Sequence, residues 1–460
     1  MAEKKREIGL KMALIPVIFL VGILFLAIGI FKQSPHIPLI CAAAVAAIIA
    51  AFYKFSWKET LDGVLHGINI AMGAILILIV IGTLIGTWMQ GGIVPAMIYY
   101  GLKILSPGIF LLATLLICSI VSLGTGSSWS TAGTVGVALI AVGQGLGIPA
   151  PMVAGAIVSG AYFGDKMSPL SDTTNLAPAV AGTDVFTHIR HMIYTTGPSY
   201  AVCLIIYGLI GFKYAGGSMD TQKIDLITST IQENFLIHPL LLLAPALIIV
   251  MVVKKIPPLP ALLGGTAIGG ILAVTVQAKS VAEVFAAAHK GFVFDSSVPM
   301  VNELLSKGGL MSMMETVALI ICALSFGGIM EKTGMLATIA RALLKRVRRT
   351  GSLIATTVFS CIGMNVLASD QYMAIVIPGR MYKNAYEQKG LHPKNLSRCL
   401  EDSATLTSAL IPWNTCGAFM GATLGVHPLL YLPYAFLNLL NPMISIFYGY
   451  TGITIAKADE

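Results

Sequence analysis

The chain of 460 residues is 56% hydrophobic and only 11% charged, and its formal net charge is +8. Soluble globular proteins carry about 25% charged residues, so this composition excludes that class and predicts an all-α polytopic membrane protein in a lipid bilayer. The positive charge is not concentrated in a basic soluble domain, which argues against nucleic acid as a partner.

Cysteine spacing and short motifs exclude several kinds of site. The seven cysteines form no CxxC pair and mostly lie in apolar runs, which argues against a zinc site or a disulfide framework. There is no Walker A motif and no Rossmann glycine fingerprint, so nothing indicates an ATP-driven motor. We therefore expect no resident cofactor.

The N-terminal apolar run is interpreted as the first membrane span rather than as a cleaved signal. Between Met12 and Phe31 it offers about 20 residues, enough to cross the hydrocarbon core, and no clear small-residue cleavage site follows. The first half then reads in order as spans near 10–31, 37–53 and 70–90, an amphipathic piece at 93–105, a broken segment at 108–146, an interrupted segment at 150–182 and a span at 189–214.

The second half repeats this order of elements. Its predicted spans lie near 234–253, 257–277 and 308–330, followed by an amphipathic piece at 335–347, a broken segment at 351–379, an interrupted segment at 399–424 and a last span at 428–450. Small and polar residues in the middle of each broken segment predict a re-entrant hairpin. We accordingly divide the chain into a first repeat at 1–215 with hairpin 108–146, an external linker at 216–233 and a second repeat at 234–460 with hairpin 351–379.

Residue matches between the halves indicate a duplicated unit. Ser168 aligns with Ser408 at an offset of 240 residues, and Ser127 aligns with Ser369 at an offset of 242. The segment SWKETLDGVLHGI from Ser56 also resembles SVAEVFAAAHKGF from Ser280. Nearly constant offsets along a chain are the mark of an internal repeat.

The number of spans sets the relative orientation of the halves. Five spans per half is an odd number, so the two repeats are expected to be inverted in the membrane, an arrangement typical of transporters with discontinuous helices at the site. With the N-terminus inside, 20 Lys and Arg residues fall on the cytoplasmic side and seven outside. Because cytoplasmic loops carry the excess of positive charge, this predicts that the N- and C-termini are cytoplasmic.

Four polar breaks in these apolar segments form the predicted site: hairpin tips at 124–130 and 367–371, and unwound loops at 165–175 and 405–416. Broken helices offer free carbonyl groups to a cation and free N–H groups to an anion. Hydroxyl and amide oxygens, which a hard monovalent cation prefers, crowd the first tip and loop. For any single serine or threonine, however, satisfying the backbone at the break is an alternative role.

Carboxylates at the breaks predict ion coupling. Asp165, Asp172, Asp370 and Asp402 lie inside or beside the breaks. A carboxylate in low dielectric binds its proton more tightly, whereas a bound cation displaces that proton. One such group can therefore exchange H⁺ for Na⁺. Asp172 is the first candidate and Asp370 its opposite number; Asp402 has the alternative of marking the cytoplasmic end of its span, and a structural salt bridge is an alternative for each.

The stretch SGAYFGDKMSPLSDTTNLAPAVAGTD, with the HIRHM that follows it, resembles the NhaC family of sodium/proton antiporters, which includes malate/lactate exchangers. The resemblance covers nearly the whole chain and places it in the ion transporter superfamily. It implies two hairpins, two discontinuous helices and a homodimer.

The resemblance also implies cation ligands. In the sodium–dicarboxylate branch of that superfamily, polar residues at a hairpin tip and beside a helix break hold sodium. The corresponding residues here are Ser127, Ser128, Ser168, Thr173, Thr174 and Asn175 in the first half, and Ser369, Asp370, Thr407, Ser408, Asn414 and Thr415 in the second. Asp172 and Asp370 are acids where that branch usually has neutral residues, which favours proton coupling.

Three functions are weighed against one another. The first is a secondary antiporter exchanging external protons for internal sodium by alternating access. The second is a sodium- and proton-coupled exchanger of small organic anions; Lys166 is the only basic residue near the predicted breaks, with amides at Asn175, Asn365 and Asn414. The third, an intramembrane hydrolase, lacks HExxH, GxSxG and similar motifs, so we expect that the chain is not an enzyme.

Overall fold

The computed structural model describes residues 7–215, 221–345 and 347–458, and these residues form helices and turns without a β-strand. Both chain ends, whose side of the membrane was predicted, extend beyond the described residues. Also outside them are residues 216–220 of the predicted linker and four residues assigned to the cytoplasmic side: Lys4, Lys5, Arg6 and Arg346.

The first half forms helices α1 to α11 with two short π-helical turns, Phe25–Ile30 and Ala132–Gly136. The helices are Leu10–Leu24 (α1), His36–Phe52 (α2), Trp57–Ile70 (α3), Met72–Gln90 (α4), Ile93–Ile104 (α5), Pro107–Thr125 (α6), Ser128–Thr131 (α7), Val137–Gly145 (α8), Ala150–Met167 (α9), Asp172–Ala181 (α10) and Val185–Ala215 (α11).

The second half forms helices α12 to α25 with a third π-helical turn, Glu401–Thr405. The helices are Thr221–Asn234 (α12), Leu243–Val253 (α13), Pro258–Thr275 (α14), Val281–Lys290 (α15), Pro299–Leu305 (α16), Met314–Lys332 (α17), Met335–Leu344 (α18), Thr350–Leu367 (α19), Gln371–Gln388 (α20), Pro393–Leu400 (α21), Leu406–Ser408 (α22), Thr415–Leu424 (α23), Pro428–Tyr431 (α24) and Phe436–Thr451 (α25).

The structure confirms the predicted polytopic membrane class. Among the described residues, seven helices are long and apolar enough to cross a bilayer, and two bent pairs raise this number to nine. Large apolar side chains on the outer surface, such as Phe25, Ile37 and Phe52, are 65% to 76% exposed. Lipid rather than water suits such a surface.

Four helices lie where no helix was predicted. Two of them, α3 and α15, begin with matching capping boxes in which Ser56 pairs with Glu59 and Ser280 with Glu283. Both helices are amphipathic and too polar to be membrane spans, so a prediction based on long apolar runs does not detect them. The other two are α16 and α12, and α12 occupies residues 221–233 of the predicted linker.

Backbone landmarks recur 243 residues apart. Left-handed backbone occurs at Gly126 (φ 66°) and Ser369 (φ 60°), and again at Gly182 (φ 94°) and Gly425 (φ 67°). The first pair lies at the predicted hairpin tips, after α6 and between α19 and α20, and the second pair follows α10 and α23. The offset between these landmarks is 243 residues, which is one more than in the alignment of Ser127 with Ser369 and three more than in that of Ser168 with Ser408.

Side-chain contacts follow the same offset. The Ser122 hydroxyl donates to the Ala161 carbonyl at 2.5 Å, and the Asn365 amide donates to the Ala404 carbonyl at 2.7 Å. Each bond fastens the first arm of a predicted hairpin, α6 or α19, to the broken helix of the same half. The two site regions thus share one framework.

The two broken helices cross between two apolar cores. Buried residues of α4 to α9 dominate the first core, which also takes in α23, whereas the second contains α17 to α21 and takes in Ala177 and Ala181 of α10. Each half therefore places the helix after its break in the core that residues of the other half dominate. This exchange brings the four breaks to the boundary between the cores.

Candidate functional site

A cavity of about 570 Å³ lies at this boundary and receives residues from all four breaks. Six of the predicted site residues line it: Ser127, Asp165, Asp172, Thr173, Asp370 and Thr415. The junctions between α3 and α4 and between α13 and α14 complete the wall. The nine other predicted site residues do not line it: Ser128, Ser168, Thr174, Asn175, Ser369, Asp402, Thr407, Ser408 and Asn414.

The first hairpin tip holds the carboxylate of Asp165. The chain turns at Gly126 in the left-handed conformation, and the Ser127 hydroxyl then accepts the Ser130 N–H at 3.1 Å, which caps the next helix. At the start of that helix, Ser128 donates its hydroxyl to Asp165 Oδ2 at 2.6 Å and its backbone N–H at 3.1 Å. Asp165 is only 7% exposed, so its carboxylate lies at the inner wall of the cavity.

Several predicted cation ligands close the first loop instead of facing the cavity. Thr174 donates its hydroxyl to the Lys166 carbonyl at 2.9 Å, and Asn175 donates to the Pro169 carbonyl at 2.8 Å. Ser168 accepts the Leu170 N–H at 3.3 Å. These bonds satisfy backbone groups that the interrupted helix leaves free, which is the alternative role considered from the sequence.

Asp172 was chosen as the first candidate for ion coupling because a carboxylate in low dielectric was expected there, but its environment is different. It lies in the first turn of α10, lines the cavity and is exposed. The helix N-terminus favours its negative charge there. The argument from low dielectric therefore applies to the buried Asp165 and Asp370 rather than to Asp172.

The second hairpin tip satisfies the carboxylate of Asp370 with three donors. Asp370 Oδ1 accepts the backbone N–H groups of Tyr372 at 2.9 Å and Met373 at 3.1 Å, which caps α20. Its Oδ2 accepts the Thr415 hydroxyl at 3.2 Å. The preceding residue, Ser369, is fully buried, and its hydroxyl has no hydrogen-bond partner.

The second loop is held by an amide network behind the cavity. Asn414 donates to the Asn365 side-chain oxygen at 3.1 Å, and Asn365 donates to the Thr407 hydroxyl at 3.0 Å. Ser408 donates to the Thr405 carbonyl at 2.6 Å. Thr407, Ser408 and Asn414 thus support the break.

Asp402 is fully buried and forms an ion pair with Lys166. Lys166 Nζ lies 2.5 Å from Asp402 Oδ1, and neither side chain is exposed. Thr195 adds a hydroxyl donor to the same oxygen at 3.1 Å. The structure thus joins the broken helices of the two halves through a buried ion pair.

Two charged residues of the site were left out of the sequence prediction, Glu401 because it was interpreted as the cytoplasmic end of its span. Glu401 is fully buried and its Oε1 accepts the hydroxyl of the cavity residue Thr173 at 2.9 Å. An acid beside Asp402 in an apolar segment was the available signal. Lys255, assigned to a cytoplasmic loop, lines the cavity, whereas the Lys166 ammonium is engaged by Asp402.

Comparison with known proteins places these residues in a family. A model of the Na⁺/H⁺ antiporter family matches residues 160–453, which include both loops and the second hairpin tip. The chain is 40% identical to the Na⁺/H⁺ antiporter NhaC of Alkalihalophilus pseudofirmus, covering 100% of this chain and 98% of that protein. It is 39% identical to the malate-2H⁺/Na⁺-lactate antiporter of Bacillus subtilis, covering 95% of each. It is 36% identical to the arginine/ornithine antiporter ArcD of Halobacterium salinarum, covering 99% and 94%.

Proposed function

The chain belongs to the Na⁺/H⁺ antiporter family, and we propose that it exchanges external protons for internal sodium ions across the bacterial plasma membrane. The observation that carries this proposal is the cavity itself, where Asp165, Asp172 and Asp370 meet hydroxyl oxygens at breaks in apolar helices. Ionisable groups in such surroundings are costly and are typical of ion pathways. Both ions are cargo; we propose no resident cofactor and no enzymatic activity.

We assign the exchange to Asp165. Its carboxylate is buried yet borders the cavity, so an ion that enters the cavity can reach it. A carboxylate with little water around it holds either a proton or a cation, which is the requirement for antiport. Ser127 and Thr173 offer further oxygens to sodium from the same wall.

The test is a sodium pulse applied to proteoliposomes that contain the purified chain and a pH-sensitive dye. We expect sodium-driven proton movement with the wild type and none with Asp165→Asn. Asp62→Asn, which changes an exposed carboxylate on α3, is the matched control and should behave as the wild type. Proton movement by Asp165→Asn at the wild-type rate would exclude Asp165 as the coupling group.

We further propose that the two halves, 1–215 and 234–460, are inverted repeats of five spans and one re-entrant hairpin joined by the linker 216–233, with cytoplasmic termini, in a homodimer. The recurring helix order supports this arrangement, since alternating access uses such repeats. Cysteines introduced at Gln144 and Glu387, positions 243 residues apart, test the inversion. Labelling should come from opposite sides of the membrane, and labelling of both from one side would refute it.

A second candidate function is exchange of a small organic anion together with these ions. Two observations favour it: the cavity of about 570 Å³ is far larger than a sodium ion needs, and Lys255 and Gln371 line it. An ammonium and an amide are groups that bind carboxylates. Counterflow of labelled malate in proteoliposomes, lost in Lys255→Gln while sodium–proton exchange persists, would support anion exchange.

A further inference from the structure

Five buried oxygen atoms near the Lys166–Asp402 pair have no hydrogen-bond partner. They are Glu401 Oε2, Asp402 Oδ2, Thr405 Oγ1, Asn438 Oδ1 and Asn441 Oδ1. They belong to the π-helical turn Glu401–Thr405 and to α25, which pack against each other. More than about 90% of buried polar groups in proteins have a protein or water partner. Five acceptor atoms without a protein partner give this junction an unused capacity to bind a donor or a cation.

Neighbouring bonds fix how these oxygens are presented. The Asn438 amide nitrogen donates to the Leu406 carbonyl at 2.8 Å, one turn beyond Asp402, so the oxygen of Asn438 is the atom left free. Asn441 donates to Thr196 at 3.4 Å, and the adjacent Thr195 donates to Asp402. The turn, α11 and α25 therefore meet at one junction that is rich in acceptors.

Lys166 is the cation that this junction now holds. Its ammonium contacts Asp402 Oδ1 and leaves Oδ2 free. Arg398 is also fully buried one turn earlier, and its Nη1 donates to the Thr454 hydroxyl at 2.9 Å. Its Nε and Nη2 have no hydrogen-bond partner, and Arg398 takes part in none of the ion pairs between described residues. Among the described residues, Lys166 is thus the one ion-pair partner of Asp402.

We propose that Glu401, Asp402 and Asn438 form a second cation site, the inner site, whose cation position is held in this conformation by the ammonium of Lys166. A bare sodium ion is smaller than water and fits among oxygens that water does not reach. Carboxylate and amide oxygens are the ligands that a hard cation takes. The proposal rests on the proposed function only in naming sodium as the ion.

The inner site is distinct from the cavity but connected with it. None of its three residues lines the cavity. Thr173 does, and it donates its hydroxyl to Glu401 Oε1 at 2.9 Å. A sodium ion that leaves the cavity along this contact reaches Glu401 and competes with Lys166 for the neighbouring carboxylate of Asp402.

The test uses the purified full-length chain in detergent, with melting temperature measured in NaCl and in choline chloride. Lys166→Met leaves Asp402 buried without a cation, so it should lower the melting temperature by several degrees in choline chloride. Sodium should restore most of that loss, and equilibrium binding of ²²Na⁺ should tighten by about tenfold or more because the competing charge is gone.

Two variants serve as controls. Lys166→Met with Asp402→Asn removes both charges, so its melting temperature should not respond to sodium beyond the wild-type response. Lys213→Met changes an exposed lysine on α11 and should leave sodium binding at the wild-type affinity. A purely structural ion pair would instead give a loss in Lys166→Met that sodium does not repair.

The outcomes separate this proposal from the proposed function. A Lys166→Met chain that is equally unstable in both salts, or that fails to fold even in high NaCl, overturns the inner site, because a cation that replaces the ammonium must restore the fold. If the wild type shows no sodium-driven proton movement in proteoliposomes, the proposed function fails, whatever the binding data show. Intact antiport with sodium-independent behaviour of Lys166→Met refutes the inner site alone.

Discussion

The two site regions, 126–182 and 369–425, share a backbone plan but distribute charge differently. In the first, the buried acid is Asp165 in the broken helix, and it accepts from Ser128 on the hairpin tip. At the counterparts 243 residues later, the Ser408 hydroxyl oxygen lies 3.5 Å from the side-chain oxygen of Gln371, and no acid is present. The second region has its acid on the tip instead, at Asp370, the counterpart of the capping residue Ser127.

This difference suggests separate tasks for the two acids. Asp370 has two backbone donors and a hydroxyl donor, which makes it the cap of α20 and leaves little need for a cation. Both donors that Ser128 gives to Asp165 go to the same oxygen, Oδ2, and Asp165 borders the cavity. We therefore expect that, on matching backbones, Asp165 exchanges ions in the first region, whereas Asp370 stabilises the hairpin tip in the second.

The largest difference in stability should come from substitution of the residue at which each hairpin tip turns. A Cβ atom at Gly126 would lie 2.7 Å from the Leu170 backbone, and φ is 66° there. Gly126→Ser should therefore lower the free energy of unfolding by about 3 kcal/mol, through steric overlap and left-handed strain. The counterpart change Ser369→Gly should stay within about 1 kcal/mol, because it relieves strain but frees the unfolded chain. Thermal unfolding in detergent measures the stability of both variants. Equal losses of unfolding free energy would contradict the prediction that the first tip leaves no room for a side chain at its turning residue.

Removing the cap on the second tip should have a smaller effect. Asp370→Ala leaves the N–H groups of Tyr372 and Met373 without their acceptor and should cost about 2 kcal/mol of unfolding free energy. Asp370→Asn keeps an acceptor oxygen and should cost less than about 0.5 kcal/mol, since asparagine caps as well as aspartate. A loss in Asp370→Asn as large as that in Asp370→Ala would show that the charge, rather than the cap, stabilises this tip.

The smallest difference concerns the caps beyond the broken helices, Asp184 and its counterpart His427. His427 accepts the Leu429 N–H at 3.3 Å, and partial burial lowers the pKa of His427 below its usual 6.5. The folded state therefore binds this proton less readily, so the stabilisation is present above about pH 6.5 and lost as the pH falls. Hydrogen bonds from Thr187 lower the pKa of the Asp184 carboxyl below its usual 3.8. The stabilisation of the folded state by the Asp184 cap therefore persists to lower pH than that by His427.

His427→Asp should consequently flatten the decline in melting temperature between pH 7 and pH 5 by a small amount. The measurement is a series of thermal unfolding curves across that range, with the wild type as reference. An unchanged decline would mean that other groups set the pH dependence.

Much of the fold could be predicted because its signals are local. Apolar length identifies spans, and Gly126, Pro169 and their neighbours identify breaks. The ion pair between Lys166 and Asp402 joins residues 236 positions apart, which no local pattern reveals. The exposure of Asp172 likewise depends on how α10 enters the opposite core.

Calorimetric titration of sodium at fixed pH into the wild type, Asp165→Asn and Asp370→Asn tests the asymmetry of the two regions most directly. The account predicts that Asp165→Asn loses sodium binding in the cavity, whereas Asp370→Asn retains it at close to wild-type affinity. Retention by Asp165→Asn together with loss in Asp370→Asn would contradict it and place the exchange in the second region.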